Sequence, residues 1–123
     1  MREILFRGKR IDNGEWIYGD ICRHDGVISY IGQHPADGSM ICYDLDQSTI
    51  GQYTGLCDKN GKKIFEGDIM AFTAYGFDYV GTVEFADGSF SVMCEHASPF
   101  LDQAVSKRGA YIIGNMHDNP ELL

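Results

Sequence analysis

The sequence predicts a mainly β protein with one short α-helix, and three observations carry that expectation. Short runs rich in Ile, Val, Phe, Tyr and Trp recur at roughly ten-residue intervals. Asn-Gly and Asp-Gly pairs, the chemistry of tight reversals, lie between them. Only one segment, near the end, joins a helix start, an apolar stripe and a stop. Residues 1–123 are expected to form a single domain, with an N-terminal hairpin and sheet (1–57) packed beside a small SH3-like barrel (58–123).

The first hairpin spans Glu3–Ile21, with Asn13-Gly14 as a type I′ turn whose two residues both take positive φ. In its second strand Trp16 and Tyr18 share one face and Ile17 takes the other, so a covering layer is required. Val27–Ile31 and Met40–Tyr43 are the next strands and can pair across the Gly32–Ser39 loop. Asp44–Ser48 reads as a turn, its side-chain oxygens free to bind nearby backbone N–H groups. Ile50–Leu56 resumes the extended pattern. Residues 58–63 repeat the turn chemistry, and Glu66-Gly67-Asp68 is a turn launching a new strand, with Asp68 accepting from backbone amides. Tyr79–Phe85 and Phe90–Met93 flank Asp87-Gly88 as a further hairpin. The helix is expected over 99–108, with Ser98 capping, Pro99 in the first turn and Gly109 as the stop. Phe100, Leu101, Ala104 and Val105 would form its buried stripe, while Lys107 and Arg108 complement the helix dipole. Tyr111–Ile113 is the last strand, and Asn119-Pro120 turns the chain again.

Composition narrows the function. With 123 residues and 44% hydrophobic content the chain can bury a core of its own. No apolar run approaches membrane-spanning length and no secretory leader is visible, so a cytoplasmic protein with free thiols at Cys22, Cys42, Cys57 and Cys94 is expected. The net charge of −8 is uneven: residues 1–23 carry five basic and four acidic side chains, residues 24–123 five and fourteen. Phosphate binding needs counter-charge, so this field weighs against a large nucleic-acid footprint.

A series of blocks in the sequence resembles the YopX family. They are Phe6-Arg7-Gly8-Lys9-Arg10, Asn13-Gly14-Glu15-Trp16, Tyr18-Gly19-Asp20, Ile50-Gly51-Gln52-Tyr53-Thr54-Gly55-Leu56, Asp58-Lys59-Asn60-Gly61-Lys62, Phe65-Glu66-Gly67-Asp68-Ile69 and the closing run from Ile113 to Leu123. They occur in family order from Arg2 to the end. The resemblance implies a single YopX-like domain, encoded by a phage or prophage and acting in a bacterial cytoplasm. It carries over no active site. Arg23–Ser39, Tyr75–Asp78 and Glu95–Arg108 depart from the shared pattern, and whatever distinguishes this chain is expected there.

Two constellations invite a chemical reading. Cys22 with His24 and Cys94 with His96 are pairs two residues apart, so each points one way from a strand, and together they could hold zinc tetrahedrally. The bland alternative is half-buried thiols beside surface histidines. Arg7, Lys9, Arg10 and Arg23 with Trp16 and Tyr18 make a basic and aromatic hairpin suited to single-stranded nucleic acid or another interaction surface. Its bland alternative is a core tryptophan with solvated charges. Asp58-Lys59-Asn60-Gly61 has a passing likeness to a calcium loop but the wrong ligand spacing, and a hairpin turn is favoured. His34 and the Met116-His117-Asp118 run are loop residues. No nucleophile elbow, phosphate loop or dinucleotide fingerprint occurs, so neither catalysis nor a cofactor is expected. The leading expectation is a non-enzymatic module for a protein partner or for self-association. The alternatives are a nucleic-acid accessory protein and, behind it, a metal-dependent enzyme on the Cys/His pairs.

Overall fold

The reversal after the first strand shows how local chemistry builds this chain. In the structure, a computed structural model describing residues 3–24, 27–33, 35–39 and 41–123 with backbone alone at 24 and 27–30, β1 (Phe6–Arg10) and β2 (Trp16–His24) form the expected antiparallel hairpin. The turn is longer than a type I′ pair. Gly14 alone takes positive φ, at +71°, while Arg10 N–H donates to Glu15 O at 2.9 Å and Gly14 N–H to Arg10 O at 3.0 Å. Asn13 stays on the ordinary side because its Oδ1 accepts from Glu15 N–H at 3.0 Å, a local bond that fixes the corner by another route.

β3 (Val27–Gln33) pairs with β2 on one side and β4 (Ile41–Cys57) on the other, with Gly32 opposite both Asp20 and Cys42. The expected pairing across the Gly32–Ser39 loop is therefore present, while His34 and Met40 lie outside the described residues. β4 corrects the expected turn at Asp44–Ser48, because its 17 residues run through that segment as one strand. The predicted side-chain chemistry is nonetheless there: Asp46 Oδ1 accepts from Ser48 N–H at 3.1 Å and from its hydroxyl at 2.8 Å. Thr49 Oγ1 donates to Asp46 O at 2.6 Å and accepts from Lys9 N–H at 2.8 Å. These bonds absorb extra residues where the β1 partner moves from Gly51, opposite Arg7, to Asp46, opposite Lys9. They make a bulge within a continuing strand.

The chain divides between Tyr53 and Thr54 into two compact units. In the second, the end of β4 pairs with β5 (Lys63–Phe65) across a reversal organised by Asp58. Asp58 Oδ1 accepts from the amides of Asn60 and Lys62, both at 2.9 Å, and Oδ2 from Ile112 N–H at 3.0 Å. Desolvation pushes this carboxyl upward, but those amides and the Lys62 charge hold it below the ordinary range. Its oxygens are committed to the turn. Asp68 likewise accepts from Phe65 N–H at 2.8 Å, as expected of the Glu66-Gly67-Asp68 turn.

A four-stranded antiparallel sheet follows in the order β8-β7-β6-β9, from β6 (Asp68–Ala74), β7 (Phe77–Ala86), β8 (Ser89–Met93) and β9 (Tyr111–Asn115). Alternate residues Met70, Phe72, Val83 and Val92 face the helix α1 (Leu101–Arg108), whose Leu101 and Ala104 complete the core. Full burial of Leu101 contributes about 2 kcal/mol. These ladders give an antiparallel four-stranded order and do not by themselves assign it to the SH3-like barrel class.

The helix stops where expected, Gly109 adopting a left-handed cap at φ +63° with its N–H on Val105 O. Its start is later than expected. Pro99 and Phe100 are extended against β8: Val92 N–H donates to Pro99 O at 3.0 Å and Phe100 bridges Ser91. Phe100 therefore leaves the predicted stripe and is 58% exposed, and no side chain caps the helix. Pro120–Leu122 forms a short 3-10 turn. No helix among the described residues is long and apolar enough to cross a membrane.

Candidate functional site

Two hairpin tips in the second unit place positive φ at both central residues. Asp87-Gly88 is one, at +52° and +82°, with residues that tolerate the conformation. The other is Tyr75-Gly76, at +54° and +80°. A bulky side chain in the left-handed region is an outlier costing on the order of 1 kcal/mol, and such strain concentrates at functional positions. The ring it holds is 82% exposed.

The surroundings of that ring are ordered. The Arg108 guanidinium lies 4.7 Å from the Tyr75 ring centroid, and its Nη2 donates to Tyr75 Oη at 3.0 Å. Below the tip Phe72 and Tyr79 stack with centroids 5.2 Å apart and planes 12° off parallel. Phe77 lies opposite Ala74 and is 67% exposed. Thr73 Oγ1 donates to Asp78 Oδ1 across the same ladder at 2.8 Å. Aromatic side chains are thus displayed on a sheet rather than on a loose loop.

Register supplies the second feature. β7 pairs with β6 from Phe77 onward, but its ladder with β8 begins only at Thr82, opposite Met93. Residues 77–80 are therefore laddered on one side. Beyond Met93 the chain turns away, with Cys94 N–H donating to Ala97 O at 2.9 Å. A cleft of about 400 Å³ lies along this edge, lined by Phe77, Asp78, Tyr79, Val80, Cys94, Glu95 and His96. A second, of about 390 Å³, shares Tyr79 and is bounded by Tyr75, Pro99 and Arg108. Desolvation pushes the Cys94 thiol upward. Glu95 Oε1 and His96 Nε2 are 3.7 Å apart, both largely in solvent.

The residues singled out from sequence are distributed differently. Cys22 is in the first unit, whereas Cys94 and His96 are in the second, and the His24 side chain lies outside the described residues. Burial, then the neighbouring Cys42 thiol, pushes the Cys22 thiol upward. Among the described residues no group of three or more His, Cys, Asp or Glu side chains is disposed to hold a metal ion. On the basic hairpin, Arg7 is only 6% exposed, its guanidinium 4.6 Å from the Trp16 ring centroid, and Lys9 Nζ lies 5.5 Å from the same ring. Arg10 stacks on Tyr43 at 4.9 Å and binds Asp12 through two bonds of 2.9 and 2.5 Å. The hydrogen bonds that Arg10 donates to Asp12 push the guanidinium above its ordinary value and hold the Asp12 carboxyl below its own. Arg23 is exposed on β2. Arg7, Lys9 and Arg10 thus each lie against a ring.

Sequence reasoning passed over Tyr75 and Phe77 individually and gave Arg108 only a role at the helix C-terminus, although it placed all three within departing stretches. The available signal was Tyr75-Gly76 between Ala74 and Phe77, an Xaa-Gly turn in an alternating run.

The fold and this edge define a small antiparallel-β scaffold displaying aromatic side chains beside a partly unladdered strand. The chain belongs to the YopX family: the model described as YopX protein matches residues 5–123. It is similar to a solved structure, the crystal structure of protein EF1440 from Enterococcus faecalis, with 27% identity, a TM-score of 0.68, and coverage of 100% of this chain and 99% of that one. No curated protein matches.

Proposed function

We propose that this YopX-family chain is a non-enzymatic protein-interaction module, carried by a phage or prophage and working in the bacterial cytoplasm. The observation that carries the reading is the hairpin tip, where Tyr75 and Phe77 stand exposed on an ordered sheet beside two clefts. Large aromatic groups held out of the core are the usual anchors of protein interfaces. Small β scaffolds bind through edges and loops, and family membership by itself assigns no chemistry. The mutual engagement of Arg7, Lys9 and Arg10 with Trp16, Tyr43 and Asp12 favours a protein partner over nucleic acid, because those cations already serve the first unit.

The test is affinity capture from prophage-carrying bacteria with the wild-type chain and with a Tyr75→Asn, Phe77→Ser double variant. A protein held by the wild type, lost from the variant and rebinding as a purified component is the expected result. Failure of every captured candidate to rebind in purified form sinks the interaction reading.

A further inference from the structure

The open edge of β7 carries an inference that rests on the interaction reading and gives its partner a chemistry. We propose that residues 77–80 of β7 accept an extended, cationic segment of a partner protein, which adds as a strand beside β7 and seats an apolar side chain in the cleft.

Three observations converge on this edge. The first is register: β7 is laddered with β6 through Phe77, while its ladder with β8 starts at Thr82. Strand addition is the recognition mode such an edge offers, main-chain bonds supplying affinity and alternate side chains supplying selectivity. The second is the wall. Four consecutive edge residues, with Cys94 and His96 opposite, line an apolar cleft of about 400 Å³, room for one aromatic or branched side chain of the incoming strand. Phe77 and Val80 are exposed there, and Tyr79 is held by its stack on Phe72. The third is charge. Between residues 64 and 106 the chain has seven carboxylates and no lysine or arginine. Asp78 and Glu95 belong to that set and line the cleft itself. An acidic rim around an apolar slot selects a segment that alternates basic and apolar residues, and it repels acidic segments and nucleic-acid phosphates alike.

The geometry also explains why the edge stays available. β8 ends at Met93, and the Cys94-to-Ala97 hydrogen bond carries the following residues away from β7 rather than along it. Gly81, at the point of divergence, has no room for a side chain: a Cβ would lie 2.6 Å from Met93 O and 2.7 Å from Cys94 Sγ. The two segments are thus in close contact at Gly81, and the ladder ends beside it.

The test uses the full chain and synthetic peptides in fluorescence anisotropy. The probe is a short labelled peptide alternating lysine with phenylalanine and valine. Its controls carry glutamate for lysine, alanine for the apolar residues, or N-methyl groups on alternate amides. The expected result is binding of the lysine peptide alone, weakened at least about tenfold by each control and by added salt. Glu95→Lys with Asp78→Asn should weaken it by a similar factor, with circular dichroism unchanged. Equal binding of the glutamate peptide or of the N-methylated peptide overturns the proposal, as does equal binding by the charge-altered chain. A concentration-dependent dimer that Phe77→Ser abolishes also overturns it, since the face would then belong to a second copy. A partner from the capture experiment that rebinds the Glu95→Lys, Asp78→Asn chain with full affinity removes this edge while leaving the interaction reading in place.

Discussion

The first hairpin and the Tyr75 hairpin use the same materials to opposite ends. In the first unit Trp16 is covered by Arg7 and Lys9, and Tyr43 by Arg10, so rings and cations stabilise one another. In the second, Arg108 stacks on Tyr75 but leaves its ring mostly in solvent, and Phe77 stands beside it without cover. The turns differ in the same sense. Gly14 adopts positive φ at no steric cost, whereas Tyr75 adopts it against its own preference. A basic and aromatic composition therefore accompanies rings and cations stacked on one another in one place, and an exposed ring on a strained turn, the surface proposed above for a partner, in another.

Substitutions can break this contrast. The largest effect is expected from Trp16→Ala, which removes the ring beneath two cations, one of them the buried Arg7. A loss of about 3 kcal/mol in urea denaturation is expected, and a loss under about 1 kcal/mol would mean the hairpin is not self-satisfied. Asp58→Ala should cost about 2 to 3 kcal/mol by leaving the Asn60, Lys62 and Ile112 amides without their acceptor. Its pH dependence has a definite sign. The folded carboxyl titrates below the unfolded one, so its contribution is complete above the ordinary aspartate range and is lost as pH falls through the depressed folded value. The wild type should lose stability in that acidic window more steeply than Asp58→Ala. At the smaller end, Gly14→Ala should cost about 1 kcal/mol, because alanine pays for the left-handed conformation. Tyr75→Asn should be neutral or stabilising by about 0.5 kcal/mol, because asparagine accepts the same turn. A cost above about 1 kcal/mol for Tyr75→Asn would make that ring a structural element and erase the contrast.

Legibility followed the range of the interaction. Asp87-Gly88, Gly109 and Asp68 act through bonds to near neighbours, and each does in the structure what its residue type announces. Asp46 and Ser48 announce a side-chain-to-backbone bond equally well, yet that bond is shared by a turn and a bulge. The β1 strand alongside resolves it in favour of the bulge. Phe100 fits a helical stripe by spacing, and the bridge to Ser91 withdraws it. The aromatic edge was legible only as a departure from the family blocks, because tyrosine is not a residue one assigns to a left-handed turn. No local signal states that β8 is shorter than the part of β7 it faces.

The sequence by itself determined a β-rich chain, its reversals, one C-terminal helix and membership of the YopX family, because turn chemistry, periodicity and shared blocks are properties of neighbouring residues. Tertiary structure alone decided that Arg7 is buried, that β4 is one strand, and that residues 77–80 keep an open edge. Each of those depends on strand register, which brings together residues far apart in the chain and has no local signature.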